Sequence, residues 1–204
     1  MSKKNQINVL LVIFGGVIWA YVAAEYSETA KTGLETVLAE IFRPQKFMLN
    51  NMLIMVLLLL NNTEDIKNPQ YIVRCRNQMF KVIVGNGMKL SVIYGIFMAS
   101  LLLLFIRFNV PCDWSDVFSV GAYCGIFCVL NNVVYLFYNI LNIIFNRVLA
   151  VIVVILADLV CLTFSLALDM DFYISMTGIL WAALFFYFLL MLVMKCLLRK
   201  REYY

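Results

Sequence analysis

The stretch VFSVGAYCGIFCVLNNVVYLFYNILNIIFN, residues 117–146, contains no charged side chain. A bilayer core is crossed by roughly 20 helical residues, so this stretch is longer than one crossing requires. Soluble domains do not keep an apolar, uncharged run of this length. The stretch therefore predicts a membrane-spanning helix that continues past the interface.

Five further apolar stretches, separated by short charged loops, repeat the pattern. Together they predict six spans at about residues 7–24, 44–62, 88–107, 117–140, 148–168 and 173–195. The composition agrees, with 64% hydrophobic residues, 14% charged residues and a mean hydropathy of +0.92, which excludes an ordinary soluble core. The predicted fold class is all-α, a polytopic membrane protein with one transmembrane domain over residues 1–204.

The distribution of positive charge predicts the orientation of these spans. Cations flank the first span and follow the second, fourth and sixth: Lys3, Lys4, Lys67, Arg74, Arg76, Lys81, Lys89, Arg147, Lys195, Arg199, Lys200 and Arg201. All of them lie on one side of the membrane if every stretch crosses once. Because short positive loops stay in the cytoplasm, both termini are predicted to be cytoplasmic.

The N-terminal run resembles a signal peptide that ends at Val22-Ala23-Ala24. Its removal would leave five spans and reverse the charge balance of the loops. We therefore expect an uncleaved first helix.

Several kinds of catalytic chemistry lack their usual residues. The chain has no histidine, and it has no P-loop, Gly-rich dinucleotide fingerprint or Gly-x-Ser-x-Gly elbow. We expect that it is not an enzyme, that any ATP is bound by another chain, and that nucleic acid is not a partner. Cys124 and Cys128 share a helix face, but two thiols leave a tetrahedral metal site half empty. Packing at a helix interface is the better interpretation.

One acidic residue and several asparagines fall inside the predicted spans. Asp158 is the only acidic residue centred in a span, where a charge costs about 2.5–3.5 kcal/mol on insertion scales. It is expected to be protonated, to hydrogen-bond to Asn131, Asn132 or Asn139 on the fourth helix, or to serve a transport pathway. The asparagines themselves could hold helices together or line a wet groove. The sequence leaves both explanations open.

The loop after the second span predicts a cytoplasmic helix at about 69–81. Pro69 suits a first helical turn, and the residues after it place apolar side chains and cations on opposite faces. One explanation is a helix that lies on anionic membrane lipids, with its basic side chains near the phosphates. The other is a docking helix for a cytoplasmic partner.

This helix carries a resemblance to a known family. The residues Ile72-Val73-Arg74-Cys75-Arg76, followed by Phe80-Lys81 at the entry to the third span, resemble the permease subunit of ABC-2-type ABC transporters, in the small bacterial half-transporter form. The layout is similar over nearly the whole chain, and the residues are similar over about 34–99. The family usually has a re-entrant hairpin before the last span, and residues 168–173 are too few to form one.

The resemblance implies a permease in the cytoplasmic membrane of a bacterium that exports an apolar or amphipathic substrate such as a peptide. It implies a second permease copy or homologue as partner, and ATP-binding subunits that carry the ATP and Mg. The implied coupling-helix residues are Pro69, Tyr71, Arg74, Arg76, Phe80 and Lys81. The alternative is a membrane immunity or assembly factor that binds a toxic peptide or a partner membrane protein without transporting it.

Overall fold

The computed structural model describes residues 3–27, 54–55, 57–58, 60–61, 78–109, 114–167 and 176–202. Five helices lie within these ranges: α1 (Lys3–Ser27), α2 (Met79–Asn109), α3 (Trp114–Ile144), α4 (Arg147–Ala167) and α5 (Met176–Glu202). The described residues between 54 and 61 are helical as well. The predicted all-helical class is confirmed for the part of the chain that the structure describes.

Within the described ranges, three helical segments are long and apolar enough to cross a membrane. They are Met79–Phe97, Val117–Ile144 and Leu180–Arg199, and a shorter apolar segment covers Gln6–Ile18. The three long segments overlap the predicted third, fourth and sixth spans. The chain thus has the helices of a membrane protein, as the composition predicted.

Helix α2 begins at Met79, whereas the predicted third span begins near residue 88. Lys81 and Lys89 were the reason to expect the charged segment between the second and third spans to continue to residue 88. Lysine is a good helix former, however, and apolar residues continue at helical spacing between the two. The last residues of the predicted cytoplasmic helix are therefore the first turn of α2.

Helix α3 is the centre of the bundle. Helices α2, α4 and α5 all pack against it, and α1 packs against α2. Much of the buried core belongs to α3, including Phe127, Tyr135 and Tyr138. The interior of the bundle is therefore formed largely by side chains of α3.

Helices α2 and α3 run antiparallel and lie very close together at two glycines. A methyl group at Gly95 would overlap Cys128 Sγ, and one at Gly87 would lie 2.7 Å from Cε1 of the Tyr135 ring. Residues further along α2 are thus level with residues earlier on α3. The interpretation of Cys128 as a packing residue is confirmed by its contact with Gly95.

Helix α1 packs against both α2 and the helical residues between 54 and 61. A methyl group at Gly15 would lie 2.9 Å from Ile54 Cδ1 and 2.9 Å from the Tyr94 hydroxyl oxygen. In addition, Asn61 Nδ2 donates a hydrogen bond of 2.7 Å to Asn8 Oδ1. The two segments run antiparallel, because Asn8 precedes Gly15 and Asn61 follows Ile54.

A two-residue link, Phe145 and Asn146, joins α3 to α4. The Asn146 side-chain oxygen accepts a hydrogen bond of 2.8 Å from the Leu149 backbone N–H, so Asn146 is the N-cap of α4. Ala150 and Val154, one helical turn apart on α4, are buried in the core. Helix α4 therefore presents one narrow face to the bundle.

Candidate functional site

Four asparagine side chains of α3 lie inside the bundle. Asn131 and Asn142 are 0% exposed, Asn139 is 2% exposed and Asn132 is 8% exposed. We call these four residues the asparagine row. They span three turns of the central helix, so the largely apolar interior of the bundle contains four polar amides on one side of α3.

Two members of the row bond to their own helix. Asn132 Nδ2 donates to the Cys128 carbonyl oxygen at 3.0 Å, and Asn139 Nδ2 donates to the Tyr135 carbonyl oxygen at 2.8 Å. Both acceptors lie four residues earlier on α3. Neither amide forms a hydrogen bond to another helix within the described ranges. The hydrogen bonds of Asn132 and Asn139 therefore do not join α3 to another helix.

Asn142 is the unusual member of the row. Both Nδ2 and Oδ1 are buried, and neither has a hydrogen-bond partner among the described residues. An unmade hydrogen bond of a buried polar group costs about 1–3 kcal/mol, and such groups are few in native structures. An amide that lowers stability at this position is better explained by a function than by a contribution to folding.

The position of Asn142 follows from its helical spacing. Cys128, Tyr135 and Asn142 are seven residues apart, so they lie on nearly the same face of α3, and the first two face α2. On α2, Phe80 precedes Gly87 by the same seven residues. Because Gly87 lies against Tyr135, Asn142 is level with Phe80 at the start of α2.

Helix α2 contributes one more buried polar side chain. Ser91 is 0% exposed, its hydroxyl oxygen has no hydrogen-bond partner in the described part of the chain, and its carbonyl oxygen accepts from Cys128 Sγ at 3.4 Å. Sequence reasoning missed this residue. The spacing Gly87-x3-Ser91-x3-Gly95 was the available signal, because small residues four apart allow two membrane helices to approach closely.

Asp158 is partly buried and lies on the same face of α4 as Ala150 and Val154. Within the described ranges its carboxylate forms no hydrogen bond and no ion pair. Asn132 and Asn139, two of its expected partners, donate to carbonyls of α3 instead. The expected hydrogen bond from these amides to Asp158 is therefore not formed.

The implied coupling helix is described only at its end. Phe80 and Lys81 lie in the first turn of α2, where Val82 N donates to the Gln78 carbonyl oxygen at 2.9 Å. Phe80 packs against the core, while Lys81 is exposed. Pro69, Tyr71, Arg74 and Arg76 lie outside the described residues, so their role stays a prediction.

No protein-family model matches the chain, and neither does any curated protein or any solved structure. The likeness to ABC-2-type permeases thus rests on the residues and the layout given above.

Proposed function

We propose that this chain is the membrane-spanning permease subunit of an ATP-driven exporter whose substrate is apolar or amphipathic, such as a peptide. In this proposal the chain has six spans, and both termini are cytoplasmic. The observation that carries the proposal is the asparagine row: its amides are buried inside the bundle, and Asn132, Asn139 and Asn142 form no hydrogen bond to another helix among the described residues.

Polar side chains inside a membrane protein either join helices or mark the route of a solute. Asn132 and Asn139 bond within α3, and Asn142 bonds to no described residue. The bonding of the asparagine row therefore favours a role in the route of a solute over a role in joining helices. Carboxamides are neutral and present both a donor and an acceptor, which matches the peptide groups of an amphipathic peptide better than it matches a simple ion.

The start of α2 offers a way to couple this row to a cytoplasmic partner. Helix α2 is continuous from Met79 to Asn109, and Phe80 in its first turn packs against the core at the level of Asn142. A partner that moves the preceding cytoplasmic segment would displace this turn. The displacement would change the packing beside Asn142 and open the row to water or substrate.

The test of the proposal is co-purification with an ATPase followed by a transport assay. The tagged chain, expressed in its native host, is expected to co-purify with a subunit whose ATP hydrolysis vanadate inhibits. Inverted vesicles that contain the complex should take up a dye-labelled amphipathic peptide only with ATP. Purification of the chain alone, with no ATP-dependent uptake after the neighbouring ATPase is added, would contradict the proposal.

The same complex separates transport from sequestration. Under the immunity alternative, the chain protects cells from a toxic peptide by binding it, so protection should persist when the ATPase is deleted. Under the permease proposal, protection should be lost. The deletion strain and its complemented parent are compared for growth at increasing concentrations of the peptide.

Reversing the charge of Arg74 and Arg76 together, each to Glu, is expected to abolish most transport while ATP hydrolysis by the complex continues. The reason is that the partner would lose its cationic docking residues. Insertion should be unchanged, because the cations of the N-terminus, of the loop at Arg147 and of the C-terminus still determine the topology. Peptide uptake and ATP hydrolysis are measured on the same vesicles.

The control for this pair is Lys67→Glu, a charge reversal in the same loop that precedes the predicted helix. It is expected to leave transport unchanged. If the Arg74 and Arg76 variant transports as well as this control, the segment binds lipid and does not couple the two subunits.

A further inference from the structure

Burial on the bundle-facing side of α4 falls with distance from the link to α3. Ala150 is 0% exposed and Val154 is 1% exposed. Asp158, one turn further on, is partly buried, and Cys161 is exposed. Among the described residues, Asp158 therefore lies where the cover of this face ends.

Helix α3 also loses its cover away from the link. Gly125 precedes Asn132 by seven residues, so the two lie on nearly the same face of α3. Asn132 is 8% exposed, whereas Gly125 and the nearby Ala122 are exposed. A methyl group added at Gly125 or at Gly121 would have nothing within 4 Å. This face of α3 is thus covered at Asn132 and open at Gly125 in the described part of the chain.

Asp158 and Asn132 lie at nearly the same level. Asp158 is eleven residues after Arg147, where α4 begins, and Asn132 is twelve residues before Ile144, where α3 ends. Because α4 packs on α3 after a two-residue link, equal counts from the link are level. At about 1.5 Å per residue both side chains lie about 17 Å from the link, near the middle of a bilayer core of about 30 Å.

Both side chains have oxygen atoms that accept no hydrogen bond within the described ranges. The Asp158 carboxylate forms no hydrogen bond and no ion pair there, and Asn132 bonds only through Nδ2, which leaves its Oδ1 free to accept. A carboxylate at this depth is costly without an opposite charge. An ammonium or guanidinium group supplies that charge and donates several hydrogen bonds, so it is the group that these two acceptors fit.

We propose that α4 diverges from α3 beyond Asp158, that the cleft between the two helices belongs to the substrate route, and that Asp158 and Asn132 bind a cationic side chain of the transported peptide. This inference rests on the proposed function, and it narrows the substrate to a cationic amphipathic peptide. In the proposed orientation the link is cytoplasmic, so the cleft opens to the external side. Gly121 and Gly125 have no side chains, which leaves room for a peptide against the backbone of α3.

The depth of the site identifies the source of the cation. Lipid amines lie at the two surfaces of the bilayer, whereas Asp158 is near its middle. A peptide that crosses the membrane carries its lysine or arginine side chains past this level. The carboxylate would therefore determine which peptides the permease accepts.

The test is a binding measurement on the full chain in nanodiscs of zwitterionic phosphatidylcholine, without ATP. The probe is a dye-labelled amphipathic peptide of leucine and lysine, and its matched partner has glutamine in place of every lysine. The wild-type chain is expected to bind the lysine peptide about tenfold more tightly than the glutamine peptide. Asp158→Asn keeps the shape of the side chain and removes its charge, so it should bind both peptides equally. Asp158→Glu should retain most of the preference.

Two further variants control the result. Glu202→Gln removes one negative charge at the end of α5 and should leave the preference unchanged. Gly125→Leu fills the open face of α3, so it should weaken the binding of both peptides severalfold. Because nothing lies within 4 Å of the Gly125 position, this variant should fold normally, which size-exclusion chromatography checks for every variant. Empty nanodiscs give the background from lipid.

Four results would overturn the inference. They are a wild-type chain without a preference for the lysine peptide, an Asp158→Asn variant that keeps the preference, an Asp158→Asn variant that only weakens both peptides equally, and a Gly125→Leu variant that binds like wild type. The third result would assign Asp158 a structural role.

Vesicle uptake of the same two peptides separates this inference from the permease proposal. ATP-dependent uptake at equal rates would support the permease and exclude the cation site. Binding that depends on Asp158, with no ATP-dependent uptake of either peptide, would contradict the permease and retain the cation site.

Discussion

Gly87→Ala is expected to lower the melting temperature of the protein markedly. The added methyl group would lie 2.7 Å from Cε1 and 3.1 Å from Cγ of the Tyr135 ring, which is too close for carbon atoms. Tyr135 is 4% exposed, so the ring is enclosed by the protein and cannot turn out into solvent. Overpacking of this kind costs about 1–3 kcal/mol, more than the helix propensity that alanine contributes over glycine.

Gly85→Ala is the matched control, because it adds the same methyl group two residues earlier on the same helix. Nothing lies within 4 Å of that position, so stability should be unchanged or slightly raised. Thermal unfolding of both variants is followed in mild detergent by the loss of the monodisperse peak on size-exclusion chromatography. Equal melting temperatures for the two variants would contradict the close packing of α2 on α3.

Asn142→Leu is expected to raise stability and to reduce transport. Leucine has the same branching as asparagine, and the substitution removes two buried polar atoms that have no hydrogen-bond partner among the described residues. Removing such a group recovers about 1–3 kcal/mol of stability. In the proposed permease the amide must become hydrated or bind substrate during each cycle. Its loss should therefore lower ATP-dependent peptide uptake severalfold.

Asn139→Leu is the control for the stability effect. The Asn139 amide already donates a hydrogen bond of 2.8 Å to the Tyr135 carbonyl oxygen, so its replacement loses an interaction and should give little or no gain. The melting temperature and peptide uptake are measured for both variants. A fall in stability for Asn142→Leu would show that the amide is paired, and unchanged uptake would remove Asn142 from the transport route.

The helical class and most helix positions could be predicted from the sequence. A run such as residues 117–146 has too few polar groups for water, and a backbone in lipid must satisfy its own hydrogen bonds, so it forms a helix. Helix α3, Trp114–Ile144, agrees closely with that run. Helix α2 begins at Met79, nine residues before the start of the predicted third span, because Lys81 and Lys89 are compatible with a helix and do not interrupt it.

Asn131, Asn132, Asn139 and Asp158 were also found from the sequence, because a polar residue within an apolar run stands out by composition alone. The hydrogen-bond partners of these side chains could not be predicted from the sequence. A carboxamide can donate to the carbonyl four residues earlier or to a neighbouring helix, and local sequence does not distinguish these choices. Only the packing of α2, α4 and α5 around α3 decides which of these two hydrogen bonds can form.

The sequence by itself therefore determined that this chain is helical and suited to a membrane, since those properties follow from composition and from the helical period. The tertiary structure decided that Gly87 and Gly95 are contact points and that Asn142 is buried. These properties depend on which residues of different helices lie side by side. That register is set by the interlocking of side chains that are far apart in the chain, and no local pattern contains it.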